Sequence, residues 1–526
     1  MNIITKNLIG YAYSAVGNET FSSYNPKDQS DTPWVFKNAT LEELKKATAL
    51  AETAFNPYKS MSVARRAAFL RAIAKEILAL GDSLTTVYTT ETGLPKGRAE
   101  GERARTIGQL EAFANAIENG QYLQPIIDQG DANRTPIPKV DLRKINEPIG
   151  PIAVFGASNF PLAYSTAGGD TASALATGCP VVVKAHPMHA ATNALVAQAI
   201  LKAAQDTKMP EGVFSCLYSN NYEVGTQLVQ DPLIKGVGFT GSIAGGTALY
   251  KLAQSRATPI PVFAEMGSVN PVVVLPEALN ENSANWAKAY AGSIALGSGQ
   301  FCTNPGLLFG VASPELDTFI DQLSKAFNQL DPHDMLHPNI HTAYEKGKAE
   351  FDVIATKIGT TAAPSSPKEG LGHGVIYKVN ASTFKANPRL HQEVFGPLSL
   401  VVECKNVAEL TTLIKGLEGQ LTGTILGSEN ALEANENLVM TLQSRVGRLI
   451  FNGVPTGVEV CAAMQHGGPF PASTDERFTA VGVKAMDRWL RPVSYQNWPD
   501  KLLPKALQNN NPLGLTRLIN GNLTKD

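Results

Sequence analysis

Cys302 stands in Ser298-Gly-Gln-Phe-Cys-Thr-Asn-Pro-Gly306, between glycines and a proline, just after the apolar run Ala291–Leu296. A thiol on such a turn is presented to a cleft rather than packed into a core. The thiolate is the nucleophile, and a cysteine of pKa ~8.5 is only a few per cent ionised at neutral pH. An active thiol therefore needs a base, a cation or a helix N-terminus beside it. The competing reading is a small buried cysteine. Three further residues sit at or near strand ends, where a parallel sheet meets its ligands. Asn159, in Gly156-Ala-Ser-Asn-Phe-Pro161, carries an amide suited to an oxyanion or to a turn. Lys184 closes Val181-Val-Val-Lys184, either reaching the ligand crevice or simply leaving the core. Glu265, in Phe263-Ala-Glu-Met-Gly267, is open to three roles: ribose ligand, surface carboxylate or general base. Gly236-Val-Gly-Phe-Thr-Gly241 follows a strand and opens a helix, as a dinucleotide-binding turn does, although packing alone also favours such glycines. Ser242 at the helix start can cap the backbone or donate to a phosphate on the positive helix end.

The elements that must position these residues follow from periodicity. Thr40-Leu-Glu-Glu43 is a capping box, and the first 120 residues read as mainly helical. The second helix starts near Ser62, the third covers about 82–91 and the fourth about 96–119. Residues 121–148 lose this pattern, and Val140–Ile145 reads as a strand of an inserted arm. From Pro151 onward Val/Ile runs alternate with helices, which marks a parallel sheet covered on both faces. A second such unit follows from about Gly267. A helix over about 477–489 then leads to another β-segment, Arg491–Gln496, while the tail after Pro499 has no pattern that places it. Two isolated β-arms have open edges unless they pair with each other or with another subunit, which points to an oligomer.

Composition sets outer limits. A chain of 526 residues is too long for one core and predicts two or three domains. A net charge of -2 gives no electrostatic case for nucleic acid or a membrane surface. The five cysteines are scattered without a CxxC pair, so neither a disulfide framework nor a zinc site is expected. His186 and His189 stand three apart with a proline between them, and no metal is expected there either. The N-terminus lacks secretory features and no apolar run reaches about 18 residues, so a cytoplasmic protein is expected.

Taken together, Asn159-Phe-Pro161, Val183-Lys184, Phe239-Thr-Gly-Ser242, Glu265-Met-Gly267, Gly299-Gln-Phe-Cys302 and Glu393-Val-Phe-Gly-Pro397 resemble the NAD(P)-dependent aldehyde dehydrogenase superfamily. The order and spacing agree over nearly the whole chain. Lys184-Ala-His-Pro-Met-His189 and His466-Gly-Gly-Pro-Phe-Pro471 resemble the branch holding α-ketoglutaric semialdehyde (2,5-dioxopentanoate) dehydrogenases and a bacterial NADP-linked fatty-aldehyde enzyme. The resemblance implies an α/β fold with a Rossmann-type cofactor domain over 1–122 and 149–266 and an α/β catalytic domain over 267–470. It also implies a helix over 471–490 returning to the cofactor domain, and a β-arm for oligomerisation over 123–148 and 491–510. By the same resemblance Cys302 attacks the aldehyde carbon, and the Asn159 amide and Cys302 backbone N–H hold the oxyanion. Hydride passes to the nicotinamide, and Glu265 activates water to release the acid. Lys184 meets the adenosine ribose, Ser242 the pyrophosphate in the turn with Phe239 and Gly241, and Glu393 the nicotinamide ribose, with Phe395 beside the ring.

Departures from the family pattern carry their own expectations. Ser158 replaces a usual tryptophan, Ser268 and Val269 a glycine and a lysine, and Pro187 a ribose-binding glutamate. Losing that carboxylate removes repulsion against a 2′-phosphate, which His186 and His189 are placed to face, so NADP is expected to be preferred with NAD accepted. Arg105, aligned with the substrate tunnel, is suited to a bidentate grip on a carboxylate and favours an acidic semialdehyde, against a plain surface role beside Arg103. Gln109, Phe160, Tyr164 and the loop Val454–Gln465 are expected to complete that wall. The implied reaction is oxidation of 2,5-dioxopentanoate to 2-oxoglutarate in a homodimer or homotetramer. A medium- or long-chain aldehyde is the alternative substrate. A cofactor-independent cysteine thioesterase is a reading from another class, and no motif places a histidine as its base. A non-catalytic nucleotide-binding descendant is disfavoured by the joint presence of Cys302, Glu265 and Asn159.

Overall fold

Runs such as Ile152–Phe155 and Val181–Lys184 have no polar face, so they are stable only where helices cover both sides. In the computed structural model, which describes residues 2–364 and 368–525, they form the middle of a seven-stranded sheet. Its order is Val262–Glu265, Gly236–Thr240, Ile152–Phe155, Val181–Lys184, Phe214–Leu217, Asn7–Ile9 and Ala12–Ser14. The first five strands are parallel; the last two form an antiparallel hairpin that periodicity did not reveal. Register aligns Phe239 with Phe155, Phe155 with Lys184, and Thr240 with Glu265. Four strand ends therefore bring Lys184, Glu265, the Gly241–Ser242 turn and the turn leading to Asn159 to one edge of the sheet.

The helices Leu41–Lys59, Val63–Ala79, Gly81–Thr92 and Lys96–Glu118 belong to this half. The first starts on a complete capping box, with the Glu43 N–H donating to Thr40 Oγ1 at 3.2 Å and the Thr40 N–H donating back to Glu43 at 2.8 Å.

A second seven-stranded sheet runs Thr356–Thr360, Val375–Asn380, Leu398–Cys404, Leu307–Val311, Val272–Val274, Gln420–Leu426 and Val446–Phe451. Every pairing is parallel except the first. Helices such as Pro276–Ala295 and Pro314–Phe327 bury one face of it.

The two β-arms pair with each other. Leu490–Gln496 lies antiparallel to Leu142–Pro148 along its whole length, so the first arm's strand starts and ends later than Val140–Ile145. The unplaced tail completes this sheet: Arg517–Ile519 runs parallel to Ile126–Asp128 and turns into Asn522–Thr524, carrying the arm sheet past residue 510. The helix expected over 477–489 is only the 3-10 stretch Val483–Trp489, because Gly482, at φ 82, redirects the chain first.

Candidate active site

Cys302 is held by a turn that few sequences can make. The helix Pro276–Ala295 gives way to Gly297, Ser298 and Gly299 at φ 56, 54 and 65, all left-handed. A Cβ at Gly299 would overlap the Gly396 backbone, so glycine here lets the Cys302 turn touch the segment that carries Glu393 and Phe395. Asn270, fully buried, donates its amide to the Cys302 carbonyl at 2.8 Å and the Asn304 carbonyl at 2.9 Å. Its oxygen accepts from Thr422 Oγ1 at 2.9 Å. The family departures Ser268 and Val269 join this network: the Val269 N–H donates to Gln420 at 2.7 Å, and Ser268 Oγ accepts from the Leu421 N–H at 3.0 Å. Mutually partnered buried polar groups of this kind fix one backbone conformation.

The sulfur of Cys302 lies 3.5 Å from Nε2 of His466, and Nδ1 of the same ring lies 3.2 Å from Glu265 Oε2. His466 and Glu265 are both buried. Burial pushes the Glu265 carboxyl well above the usual carboxylate range; Arg488 opposes this and Asp170, itself paired to Arg488 at 2.8 Å, reinforces it. Glu265 is therefore not a surface carboxylate. His466 is the member of this contact chain that sequence reading missed. It served only as a branch marker, since 164 residues separate it from Cys302 and no local spacing links them.

Asn159 donates from Nδ2 to the Gln300 carbonyl at 3.0 Å, which sets its amide beside the Cys302 turn and leaves one N–H free. The Asn159–Tyr164 turn is pinned by Glu102, buried on the fourth helix, which accepts from the Leu162 and Ala163 N–H groups at 2.8 and 2.9 Å and from the Tyr88 hydroxyl at 2.7 Å. Nothing in the sequence assigned Glu102 this part. Phe160, Tyr164 and Phe301 form an apolar wall with Ala157 and Val481, and Val458, Val460 and Met464 of the 454–465 loop pack against it. The Tyr164 ring lies 5.8 Å from that of His466. Arg105 donates to the Tyr164 hydroxyl at 3.0 Å, whereas Arg103 turns away to the Gly81 carbonyl. Gln109 is buried with its amide against Gly169. Asn159, Gln300 and Phe301 also line a cleft of about 530 Å³ with Arg98 and Leu336.

The residues expected to meet a dinucleotide gather along the sheet edge. Lys184 is pushed down to about 8 by burial and has no partner among the described residues. Ser242 Oγ accepts from the Gly245 N–H at 3.1 Å and caps Ile243–Gln254, whose first turn is exposed. A Cβ at Gly241 would come within 2.7 Å of the Phe239 ring, which lies across this turn. Glu393 is pushed up to about 7 by burial, against a backbone N–H from Ser268, and a Cβ at Gly267 would overlap its carboxylate. Phe395 lines the small cavity beside it. A buried unpaired lysine and an open helix N-terminus fit the phosphates and ribose of a dinucleotide. One expectation fails: His189 is fully buried, with Nε2 at 2.9 Å from the Ala157 carbonyl, so it does not face the crevice. His186 stacks on it and is held well below the usual histidine pKa by burial, then by His189, Lys184 and His337. Among the described residues no group of three or more metal-ligating side chains assembles.

The sequence pattern of the Aldehyde dehydrogenase family matches residues 13–486. The chain belongs to this family. Over 99% of both chains it is 45% identical to alpha-ketoglutaric semialdehyde dehydrogenase 2 of Azospirillum brasilense. It is 44% identical, again over 99% of both chains, to the alpha-ketoglutaric semialdehyde dehydrogenase of Acinetobacter baylyi. Solved aldehyde dehydrogenase structures share the fold. The gamma-glutamyl-gamma-aminobutyraldehyde dehydrogenase of Burkholderia cenocepacia superposes with a TM-score of 0.81 at 21% identity, covering 94% of this chain and 97% of the other. The 1-pyrroline-5-carboxylate dehydrogenase from Thermus, solved with bound NAD, gives 0.79 at 20% identity, covering 94% and 92%. Aldehyde dehydrogenases use NAD(P).

Proposed function

We propose that the protein oxidises 2,5-dioxopentanoate to 2-oxoglutarate, with NADP preferred over NAD. The observation that carries the chemistry is the contact chain from Cys302 through His466 to Glu265, set beside the Asn159 amide. The thiol proton passes to His466 Nε2, and the thiolate attacks the aldehyde carbon. Charge developing on the carbonyl oxygen is met by the free Asn159 N–H and the Cys302 backbone N–H. When bound, the dinucleotide supplies the two-electron acceptor, with Lys184, Ser242 and Glu393 as the residues that hold it. Water attacking the acyl–sulfur carbon gives its proton to Glu265, which burial holds well above the usual carboxylate range and so makes a stronger base. The acid leaves and the Cys302 thiol is restored.

An acidic semialdehyde is favoured over an alkyl aldehyde by Arg105, seated against Tyr164 in an otherwise apolar wall, and by the names of the two relatives identical at 45% and 44%. NADP preference rests on Pro187 in place of a carboxylate and on Lys184, without a partner among the described residues, with His186 close by. A homo-oligomer, dimer or tetramer, follows from two open sheet edges, Leu490–Gln496 and Val446–Phe451, the second exposing Leu449 and Phe451. Five free cysteines suit the reducing cytoplasm. A cofactor-independent thioesterase gains from the same Cys302–His466 contact, but it leaves Lys184 and the Gly241–Ser242 turn without purpose.

Absorbance at 340 nm with NADP or NAD and a panel of aldehydes tests the proposal. The expected result is a Cys302-dependent rise, with the highest kcat/KM for 2,5-dioxopentanoate. Arg105→Leu should raise KM sharply for the acidic semialdehyde and little for a neutral one. Ester cleavage without any rise at 340 nm would replace this reading with the thioesterase.

A further inference from the structure

Arg448 has no part in the chemistry above. It lies on the edge strand Val446–Phe451, opposite Thr422. The residue before it, Gly447, is pressed so closely on Gly467 that a Cβ there would overlap the Gly467 carbonyl. Gly467 follows His466, so this strand is docked directly beside the residue that touches Cys302. The guanidinium points inward: Nη1 lies 3.9 Å from Met464 Sδ, and Met464 packs on the wall of Phe160, Tyr164 and Phe301. Burial lowers the Arg448 pKa, and Cys302 and Tyr164 lie near enough for their charges to oppose that.

A half-buried guanidinium without a counter-charge is costly until an anion completes it. Arg448 donates to the Gly457 carbonyl at 3.0 Å and the Pro455 carbonyl at 2.8 Å, and to no carboxylate among the described residues. One Nη2 proton and the Nε–H remain unspent. Arg105, 5.1 Å over the Tyr164 ring, likewise has no carboxylate partner among the described residues, and its buried Nε has no acceptor. Two cations from different domains thus converge on the pocket of one nucleophile.

We propose that Arg448 is a second substrate-recognition residue, which with Arg105 takes the carboxylate and adjacent oxo oxygen of an α-oxo acid semialdehyde while the aldehyde carbon reaches Cys302. This rests on the acidic-semialdehyde reading above. Because Arg448 also ties the carbonyls of Pro455 and Gly457, filling its free N–H groups draws the 454–465 loop onto an occupied pocket.

The test is steady-state kinetics of the holoenzyme with 2,5-dioxopentanoate and with pentanal, its neutral five-carbon counterpart. Arg448→Gln should lower kcat/KM for the acid by about 100-fold and for pentanal by less than about threefold, with Arg448→Lys between. Equal losses on both aldehydes would overturn the inference and leave Arg448 a loop anchor. A wild-type enzyme that favours pentanal would instead overturn the acidic-semialdehyde reading, and this inference with it. A second measurement needs no variant: 2-oxoglutarate should protect Arg448 of the native protein from phenylglyoxal, read by peptide mass mapping, and pentanal should not. Modification of Arg448 by phenylglyoxal unchanged by saturating 2-oxoglutarate would also overturn it.

Discussion

The His466 ring bridges Cys302 and Glu265, 3.5 Å from the sulfur on one side and 3.2 Å from the carboxylate on the other. One imidazole therefore touches both the residue proposed as nucleophile of the first half-reaction and the one proposed as water-activating base of the second. Removing the proton from a thiol and returning one to a thiolate are opposite demands, and a ring whose two nitrogens face the two groups meets both.

Replacing this ring should expose its share. His466→Ala is expected to lower kcat by about 100-fold or more, with NADPH affinity, read by quenching of protein fluorescence, unchanged. Alkylation of Cys302 by iodoacetamide at pH 7 should slow in parallel. A variant with wild-type alkylation and turnover would make His466 a spacer.

Glu265→Gln should separate the two half-reactions. A stopped-flow burst at 340 nm should survive near one equivalent per site, while the steady rate after it falls by about 100-fold. Loss of the burst itself would assign Glu265 to thiol activation instead.

Asn159→Ala removes the side-chain half of the oxyanion site. By analogy with single oxyanion donors, kcat should drop by about 100- to 1,000-fold with little change in KM. Because Asn159 also donates to the Gln300 carbonyl, thermal melting of the variant checks that the Cys302 turn is intact.

Lys184 gives cofactor binding a pH dependence of known sign. Burial holds it at about 8, so it is charged below that pH and neutral above it. NADP binding should weaken as pH rises from 7 to 9, by up to about tenfold, and NAD binding by less because it lacks the 2′-phosphate. Fluorescence titrations at both pH values measure this, and Lys184→Met should abolish the difference.

Glu102→Ala leaves the Leu162 and Ala163 N–H groups buried without an acceptor. A loss of about 2–5 kcal/mol in urea unfolding is expected, with Glu102→Gln recovering most of it.

Much of this was legible along the chain. Strand runs such as Val181–Lys184 declare a covered parallel sheet because they contain no polar alternation, and the capping box at Thr40 declares a helix start through two local hydrogen bonds. Cys302 and Asn159 were visible because each sits in a turn whose neighbours are constrained by backbone geometry, and Glu265 because it closes a strand. His466, Arg448 and the bridging action of Glu102 were not, since each acts on a segment with no fixed sequence spacing from it. The buried side of His189 was equally hidden: Lys184-Ala-His-Pro-Met-His189 offers two rings, and only tertiary packing turns one of them into the core. The tail strand Arg517–Ile519 gave no signal because three residues are too few to show a period.

That strand has a consequence for biosynthesis. Gln129 and Asn520 are hydrogen-bonded across a separation of 391 residues, so the arm sheet joins two segments far apart along the chain. During translation both α/β layers can consolidate first, while Ile126–Asp128 waits with a bare flank until Arg517–Ile519 emerges. A second chain that sought to add a strand along that flank would have to displace Arg517–Ile519 from the same backbone groups.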